Sequence, residues 1–209
     1  MEGAKSVGIV GGTFNPPHLG HLALARHALA TLGLDHVALM PAYTSPFKPA
    51  APDPGPEQRL HMCGVLVDGE PGVSVSSLEV ARGGISYTVD TLSAIHASHP
   101  DAELTFIVGA DTARTLPAWH EPGRLLQLAK VAVAERDGTD RAAVLDSLRS
   151  LHAGNRVSFL PMPVVHVSSS EVRLRASRGE PIEELVGERL ASYIEEQRFY
   201  RVEDVARGR

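Results

Sequence analysis

The sequence has one cysteine, three lysines and no long apolar run. The single cysteine, Cys63, rules out an internal disulfide and any zinc or iron–sulfur site built on several cysteines. No apolar stretch approaches the roughly 18–20 residues of a membrane-spanning helix. Residues 1–10 carry one lysine and no apolar segment with a small-residue cleavage site, so no secretory leader is expected. Lys5, Lys48 and Lys130 are the only lysines, beside 17 arginines; 20 basic residues face 25 acidic ones, for a net charge of −5. That balance argues against a broad nucleic-acid-binding face and against a polybasic membrane anchor. It leaves room for a small anion site made of local cations and backbone N–H groups. The expectation is a cytoplasmic protein with no nucleic-acid or membrane partner, and self-association is left open.

What is present suffices for a core. The chain has 209 residues, 43% of them hydrophobic. A chain of this length buries roughly 70% of its unfolded surface and needs no metal or disulfide staple. Ser6 to Val10 reads as a buried strand running into Gly11-Gly12, and Leu19 to Leu32 as a helix stopped by Gly33. His36 to Met40 reads as a second strand, which completes a βαβ unit. Pro41 to Pro56 holds six prolines and no periodic pattern, and reads either as a surface loop or as a substrate lid. Beyond it, helices are expected at Glu57–Val67, Tyr87–His96, Arg124–Leu128 and Arg141–Leu151. Strands are expected at Val73–Val80, Leu104–Val108, Val131–Ala134 and Val157–Leu160. From Ser168 onward the pattern is helical, interrupted at Gly179-Glu180-Pro181. The fold expected is α/β and doubly wound, with a mostly parallel sheet and a C-terminal helical segment. Residues 1–200 read as one domain, with 168–200 its helical C-terminal part and 201–209 a loose tail.

The richest segment, Gly11-Gly12-Thr13-Phe14-Asn15-Pro16-Pro17-His18-Leu19-Gly20-His21, joins the first strand to the first helix. In an open parallel sheet, ligands sit at such strand ends. Paired glycines permit close backbone approach, and a helix N-terminus offers free N–H groups to a phosphate. Neither G-x-G-x-x-G nor G-K-[ST] is present, so this is not a dinucleotide fingerprint or a Walker loop. Instead His18 and His21, three apart, share one helical face across Gly20, where imidazole N–H groups could donate to phosphate oxygens. A helix cap, a solvated side chain or a metal ligand are the other readings of a histidine here.

Ser168-Ser169-Ser170-Glu171-Val172-Arg173 presents a second helix start, read as a simple N-cap or as a triphosphate clamp of hydroxyls and an arginine. Asp111, after the Leu104–Val108 strand, reads as a ribose acceptor, a helix cap, or both. The only tryptophan, Trp119, reads as core or as a stacking face in a polar loop.

The Gly11 to Leu22 segment resembles the H-x-G-H opening of the nucleotidyltransferase superfamily, and in full the bacterial nicotinate mononucleotide adenylyltransferases. Ser168, Ser170 and Arg173 match that family's second motif, I-S-S-T-x-x-R, with Val167 at its apolar lead. Gly109-Ala110-Asp111 followed by Trp119 is similar to the family's G-x-D and tryptophan. Ile85-Ser86-Tyr87-Thr88 resembles its S-Y-T segment. Lys48 matches a basic loop position and Arg136 an arginine near the nucleotide. Three positions depart from the family pattern: Asn15 stands where aspartate is usual, Phe47 where histidine is, and Asp137 where proline is. The resemblance covers about residues 6 to 200.

The resemblance implies a Rossmann-like fold and adenylyl transfer from ATP to nicotinate mononucleotide, with release of pyrophosphate, in NAD biosynthesis. It implies His18, His21 and Arg173 as catalytic. It implies Gly11, Gly12, Thr13, Phe14, Gly20, Asp111, Arg136, Ser168 and Ser170, with those three, as ATP-binding. Asn15, Lys48, Tyr87, Thr88, Trp119 and His120 are implied at the mononucleotide. Mg²⁺ would arrive with ATP, and no protein metal site is expected. The alternatives are a related adenylyl- or cytidylyltransferase taking nicotinamide mononucleotide or pantetheine phosphate, and a nucleotide-binding regulator without chemistry.

Overall fold

The computed structural model describes residues 3–47, 51–135, 138–163 and 165–201. Lys48, Arg136, Asp137 and residues 202–209 of the expected tail lie outside the described residues. Among the described residues six strands form one sheet: β1 (Ser6–Gly12), β2 (His36–Pro41), β3 (Val73–Val75), β4 (Glu103–Gly109), β5 (Ala129–Glu135) and β6 (Val157–Pro161). Every pairing is parallel, in the order β3-β2-β1-β4-β5-β6. This is the doubly wound order, in which the chain reverses direction of growth between β1 and β4 and opens a crevice at their carboxyl ends.

The strands are apolar on both faces because helices cover both. On one face Val10, Val37 and Leu39 pack with α1 (Leu19–Thr31), α2 (Pro56–Val67), α8 (Ser169–Arg178), α9 (Glu183–Val186) and α10 (Glu188–Glu196). On the other, Ile9, Phe106 and Val131 pack with α4 (Thr88–Ser98), α5 (Ala110–Thr115), α6 (Pro122–Leu128) and α7 (Arg141–Ser147). The C-terminal helices thus share a core with the first βαβ unit.

The structure differs from the sequence reading in four places. The expected strand Val73–Val80 stops at Val75, and α3 (Leu78–Arg82) follows. β3 is an edge strand; the Ser76 N–H still reaches Leu39 O, and the Ser76 Oγ then accepts the Leu78 N–H, turning the chain out of the ladder. α5 was not expected at all, because Ala110–Thr115 is short and lacks an apolar repeat. The expected helix Arg141–Leu151 ends at Ser147 and continues as a 3-10 turn, closed by His152 in a left-handed conformation. In the C-terminal segment Gly187, at φ 84°, adds a second interruption between α9 and α10.

Candidate active site

The turn after β1 leaves the sheet at Gly12 and enters α1 at His18, which is the N-cap, in extended conformation. His21 is the third residue of α1. Its Nδ1 accepts the backbone N–H of His18 at 3.1 Å, and the two imidazoles stack with centroids 3.7 Å apart and planes at 26°. Since Nδ1 accepts, the proton of a neutral His21 is assigned to Nε2, the ring atom on the opposite side. The ring of Phe14, buried beneath the turn, meets His21 edge-on at 4.8 Å. Gly20 is fixed by packing: a Cβ there would stand 2.9 Å from Val167 Cγ1 and 3.0 Å from His18 Nδ1. Glycine therefore lets the His18 ring and Val167 close over the helix start. No acidic residue occupies the first turn of α1, so no side chain of that turn offsets its positive end.

α8 begins beside this turn and is bolted to it. Ser168 caps α8 by accepting the Glu171 N–H at 3.2 Å. The Ser169 hydroxyl donates to Pro16 O at 2.8 Å. Arg173 donates from Nη1 to Asn15 O at 2.6 Å and from Nη2 to Ser170 Oγ at 3.2 Å. Two helix N-termini, two stacked imidazoles and one anchored guanidinium therefore converge, a donor set suited to a polyphosphate. They face a cavity of about 1160 Å³. Gly11, Gly12, Thr13, Phe14, Asn15, His18, Gly20, His21, Asp111, Ser168, Ser170 and Arg173 all line it. The cavity opens at the β1/β4 reversal, and Gly109 and Ala134 line it from β4 and β5. Thr13 lines the cavity, and its Oγ1 is buried with no hydrogen-bond partner among the described residues. Asp111 is exposed, one residue into α5; Gly109, not Asp111, is that helix's N-cap.

Of the expected mononucleotide residues, Asn15 lines that cavity, whereas Tyr87, Thr88, Trp119 and His120 form a second group outside its lining. Trp119 is half-buried; its Nε1–H donates to Thr115 Oγ1 at 3.0 Å, and Phe106 meets its ring edge-on at 5.9 Å. Phe47 stacks on it with centroids 5.5 Å apart. Tyr87 is the N-cap of α4 and Thr88 its first residue; the Tyr87 ring lies 4.5 Å from that of His120. Ser86 joins the two groups: its N–H donates to Thr44 O at 2.9 Å, its Oγ accepts the Tyr43 N–H at 3.0 Å, and Tyr43 and Thr44 line the cavity. Asn15 is 6% exposed, and both ends of its amide are used internally. Nδ2 donates to Pro52 O at 2.9 Å and Oδ1 accepts the Tyr200 hydroxyl at 2.7 Å. An aspartate could not donate to Pro52, so this sequence's asparagine ties the first turn to the proline-rich loop.

Sequence reasoning missed Arg59, Ser169, Glu79 and Tyr200. Ser169 sits within the serine run that was singled out, but the partner of its hydroxyl lies 153 positions away. Glu79 is buried, and that burial raises its carboxyl above the ordinary glutamate range against hydrogen bonds from the Thr91 and Ser86 hydroxyls, which lower it. Burial likewise pushes the Cys63 thiol far above its usual value, which makes it unsuited to nucleophilic work. Among the described residues no three His, Cys, Asp or Glu side chains are grouped to hold a metal, and no helix is long and apolar enough to cross a membrane.

A parallel sheet of this order, carrying a phosphate-suited H-x-G-H turn at its reversal point, defines a nucleotidyltransferase-type α/β protein. A family model described as cytidylyltransferase-like matches residues 9–175. A protein of Herpetosiphon aurantiacus named "Probable nicotinate-nucleotide adenylyltransferase" is 40% identical over 198 residues, covering 94% of this chain and 98% of its own length. One of the same name from Gemmatimonas aurantiaca is 37% identical over 195 residues, covering 93% and 92%. The fold is shared with the Plasmodium falciparum nicotinic acid mononucleotide adenylyltransferase solved with NaAD, at a TM-score of 0.76 and 18% identity, covering 94% of this chain and 97% of that one. The chain belongs to the nicotinate-nucleotide adenylyltransferase family, within the cytidylyltransferase-like superfamily.

Proposed function

We propose that the protein transfers the adenylyl group of ATP to nicotinate mononucleotide, giving nicotinate adenine dinucleotide and pyrophosphate, as a step of NAD biosynthesis. The observation that carries this reading is the stacked His18–His21 pair, set in one cavity with the N-terminus of α8 and Arg173.

The phosphate of the mononucleotide attacks the α-phosphorus of ATP; a P–O bond forms there, and the bond to the β-phosphate oxygen breaks. That phosphate has a second pKa near 6 and is largely dianionic at pH 7, so no general base is required. The remaining work is positioning and charge neutralisation. His21 presents Nε2–H, and with His18 stabilises charge on the reacting and leaving phosphates. Ser168, Ser170 and Arg173 hold the β- and γ-phosphates, and the Gly11–Phe14 backbone passes beneath the nucleotide. Asp111 accepts from the ribose. Lys48 and Arg136 supply further cationic contacts.

Trp119 stacks on the pyridine ring, beside Tyr87 and His120. The N-terminus of α4 at Thr88 receives the ring carboxylate, which favours the acid over the amide substrate. Asn15 shapes the turn. A divalent cation such as Mg²⁺, arriving with ATP, would supply neutralisation of triphosphate charge. Residues 1–200 act as one unit, and the reaction is placed in the cytoplasm.

The test is a turnover panel pairing ATP or CTP with nicotinate mononucleotide, nicotinamide mononucleotide and pantetheine phosphate, read as pyrophosphate release. Preference for ATP with nicotinate mononucleotide supports the reading; preference for CTP or for pantetheine phosphate overturns it.

A further inference from the structure

Arg59, on the first turn of α2, carries no motif, yet it is 1% exposed and lines the cavity. Its Nε donates to Asp53 Oδ1 at 3.0 Å. Nη1 donates to the carbonyls of Thr13 and Ala42, both at 2.7 Å, and Nη2 to that of Tyr43 at 2.9 Å. Four of its five N–H groups are thereby used, three of them on backbone carbonyls. Burying a cation is costly unless such bonds satisfy it, and an apolar replacement would leave three carbonyls without these partners.

The placement of those carbonyls matters. Thr13 belongs to the turn that carries His18 and His21. Ala42 and Tyr43 belong to the chain leaving β2. The parallel ladder joins these segments only as far as the Ala42 N–H on Gly12 O; beyond it, each runs into a loop. Arg59 bridges them at the first residues past the ladder. The peptide N–H of Tyr43 is held by Ser86 Oγ, next to Tyr87 and Thr88. A relay of Thr13, Arg59, Tyr43 and Ser86 therefore runs from the phosphate turn to the acceptor segment.

We propose that Arg59 is a positioning residue that fixes the distance between the donor-phosphate half and the acceptor half of the site. The inference rests on the adenylyl-transfer reading above. In a two-substrate displacement each half can bind its own ligand while their relative placement sets the rate, and a misplacement of about 1 Å can cost roughly 10²-fold. The effect therefore falls on kcat rather than on either KM.

Arg59→Lys keeps a cation but has three donors on a single nitrogen and cannot span the four acceptors. Ser86→Ala breaks the other end of the relay. Both are to be assayed for kcat, for KM of ATP and of nicotinate mononucleotide, and for melting temperature. The expected result for Arg59→Lys is a kcat lower by roughly 10- to 100-fold with both KM values within about threefold of wild type. Ser86→Ala is expected to lose about tenfold in kcat with the same split. A folded Arg59→Lys with kcat within about twofold of wild type, or with its whole loss in a KM, overturns the inference. If Arg59→Lys does not fold, Ser86→Ala decides by the same criterion. A wild type that releases no pyrophosphate overturns the transfer reading and this inference together. An active wild type beside an unimpaired variant overturns this inference alone.

Discussion

The backbone N–H of His18 donates to Nδ1 of His21 across 3.1 Å, and the same two residues stack their rings 3.7 Å apart. One hydrogen bond thus caps the helix start and turns Nε2–H of His21 away from the backbone. A side-chain amide at the Nδ1 position can preserve the cap and still leave nothing at the Nε2 position. His21→Asn is therefore expected to keep its melting temperature while losing roughly 10²–10³ in kcat, the usual consequence of removing one preorganised donor. Near-normal pyrophosphate release by His21→Asn would remove His21 from the chemistry.

Gly20→Ala tests the packing behind the pair. In an ordinary helix interior this change stabilises by about 0.5–1 kcal/mol. Here the new Cβ would stand 2.9 Å from Val167 and 3.0 Å from the His18 ring. Overpacking of this kind costs about 1–3 kcal/mol, so the sign reverses. A lower melting temperature is expected, with a loss of about tenfold in kcat as His18 is displaced. A higher melting temperature would show that the ring and Val167 yield freely.

Trp119 is the only tryptophan, so its fluorescence reports its own surroundings. Phe47 covers it at 5.5 Å between centroids, so a pyridine ring entering there must displace or cover Phe47. Nicotinate mononucleotide is expected to change the emission, and Trp119→Ala to raise its KM about tenfold without altering the KM for ATP. An unchanged emission at saturation would separate Trp119 from the acceptor.

Glu79 gives a pH-dependent prediction. Burial first, opposed by the Thr91 and Ser86 hydroxyls, leaves its carboxyl raised in the folded state. The folded protein thus holds this proton more tightly than the unfolded chain, where glutamate titrates at about 4.3. Its contribution to stability is fully present below that value and is lost as pH rises through the folded pKa. Glu79→Gln removes the titration, so the melting temperature of wild type relative to Glu79→Gln is expected to fall between about pH 4 and pH 7. A difference that does not vary over that interval would contradict this.

Much of the site was legible because its chemistry is local in sequence. Gly11 to His21 and Ser168 to Arg173 each form one strand-to-helix or loop-to-helix junction, and short spacing carries their pattern. What could not be read was how the junctions are held together. Arg59 reaches Thr13 across 46 positions, Ser169 reaches Pro16 across 153, and Tyr200 reaches Asn15 across 185. Arg59 follows Glu57 and Gln58 and looks like a solvated helix charge until the fold closes over it. The strand order was legible only as a class, since alternation of strands and helices is silent on where the sheet reverses. Val73–Val80 reads as one strand because apolar alternation at Val73 and Val75 resumes at Leu78 and Val80, yet Ser76-Ser77 shifts its phase, and there the Ser76 Oγ takes the Leu78 N–H and the edge strand ends.

The most direct test is kcat/KM for nicotinate mononucleotide and for nicotinamide mononucleotide with MgATP, with the dinucleotide product identified by mass. The expected result is nicotinate adenine dinucleotide formed in step with pyrophosphate, with the acid favoured by at least about tenfold. Equal or greater kcat/KM for the amide would contradict the assignment of the acceptor, and no dinucleotide from either would contradict the transfer itself.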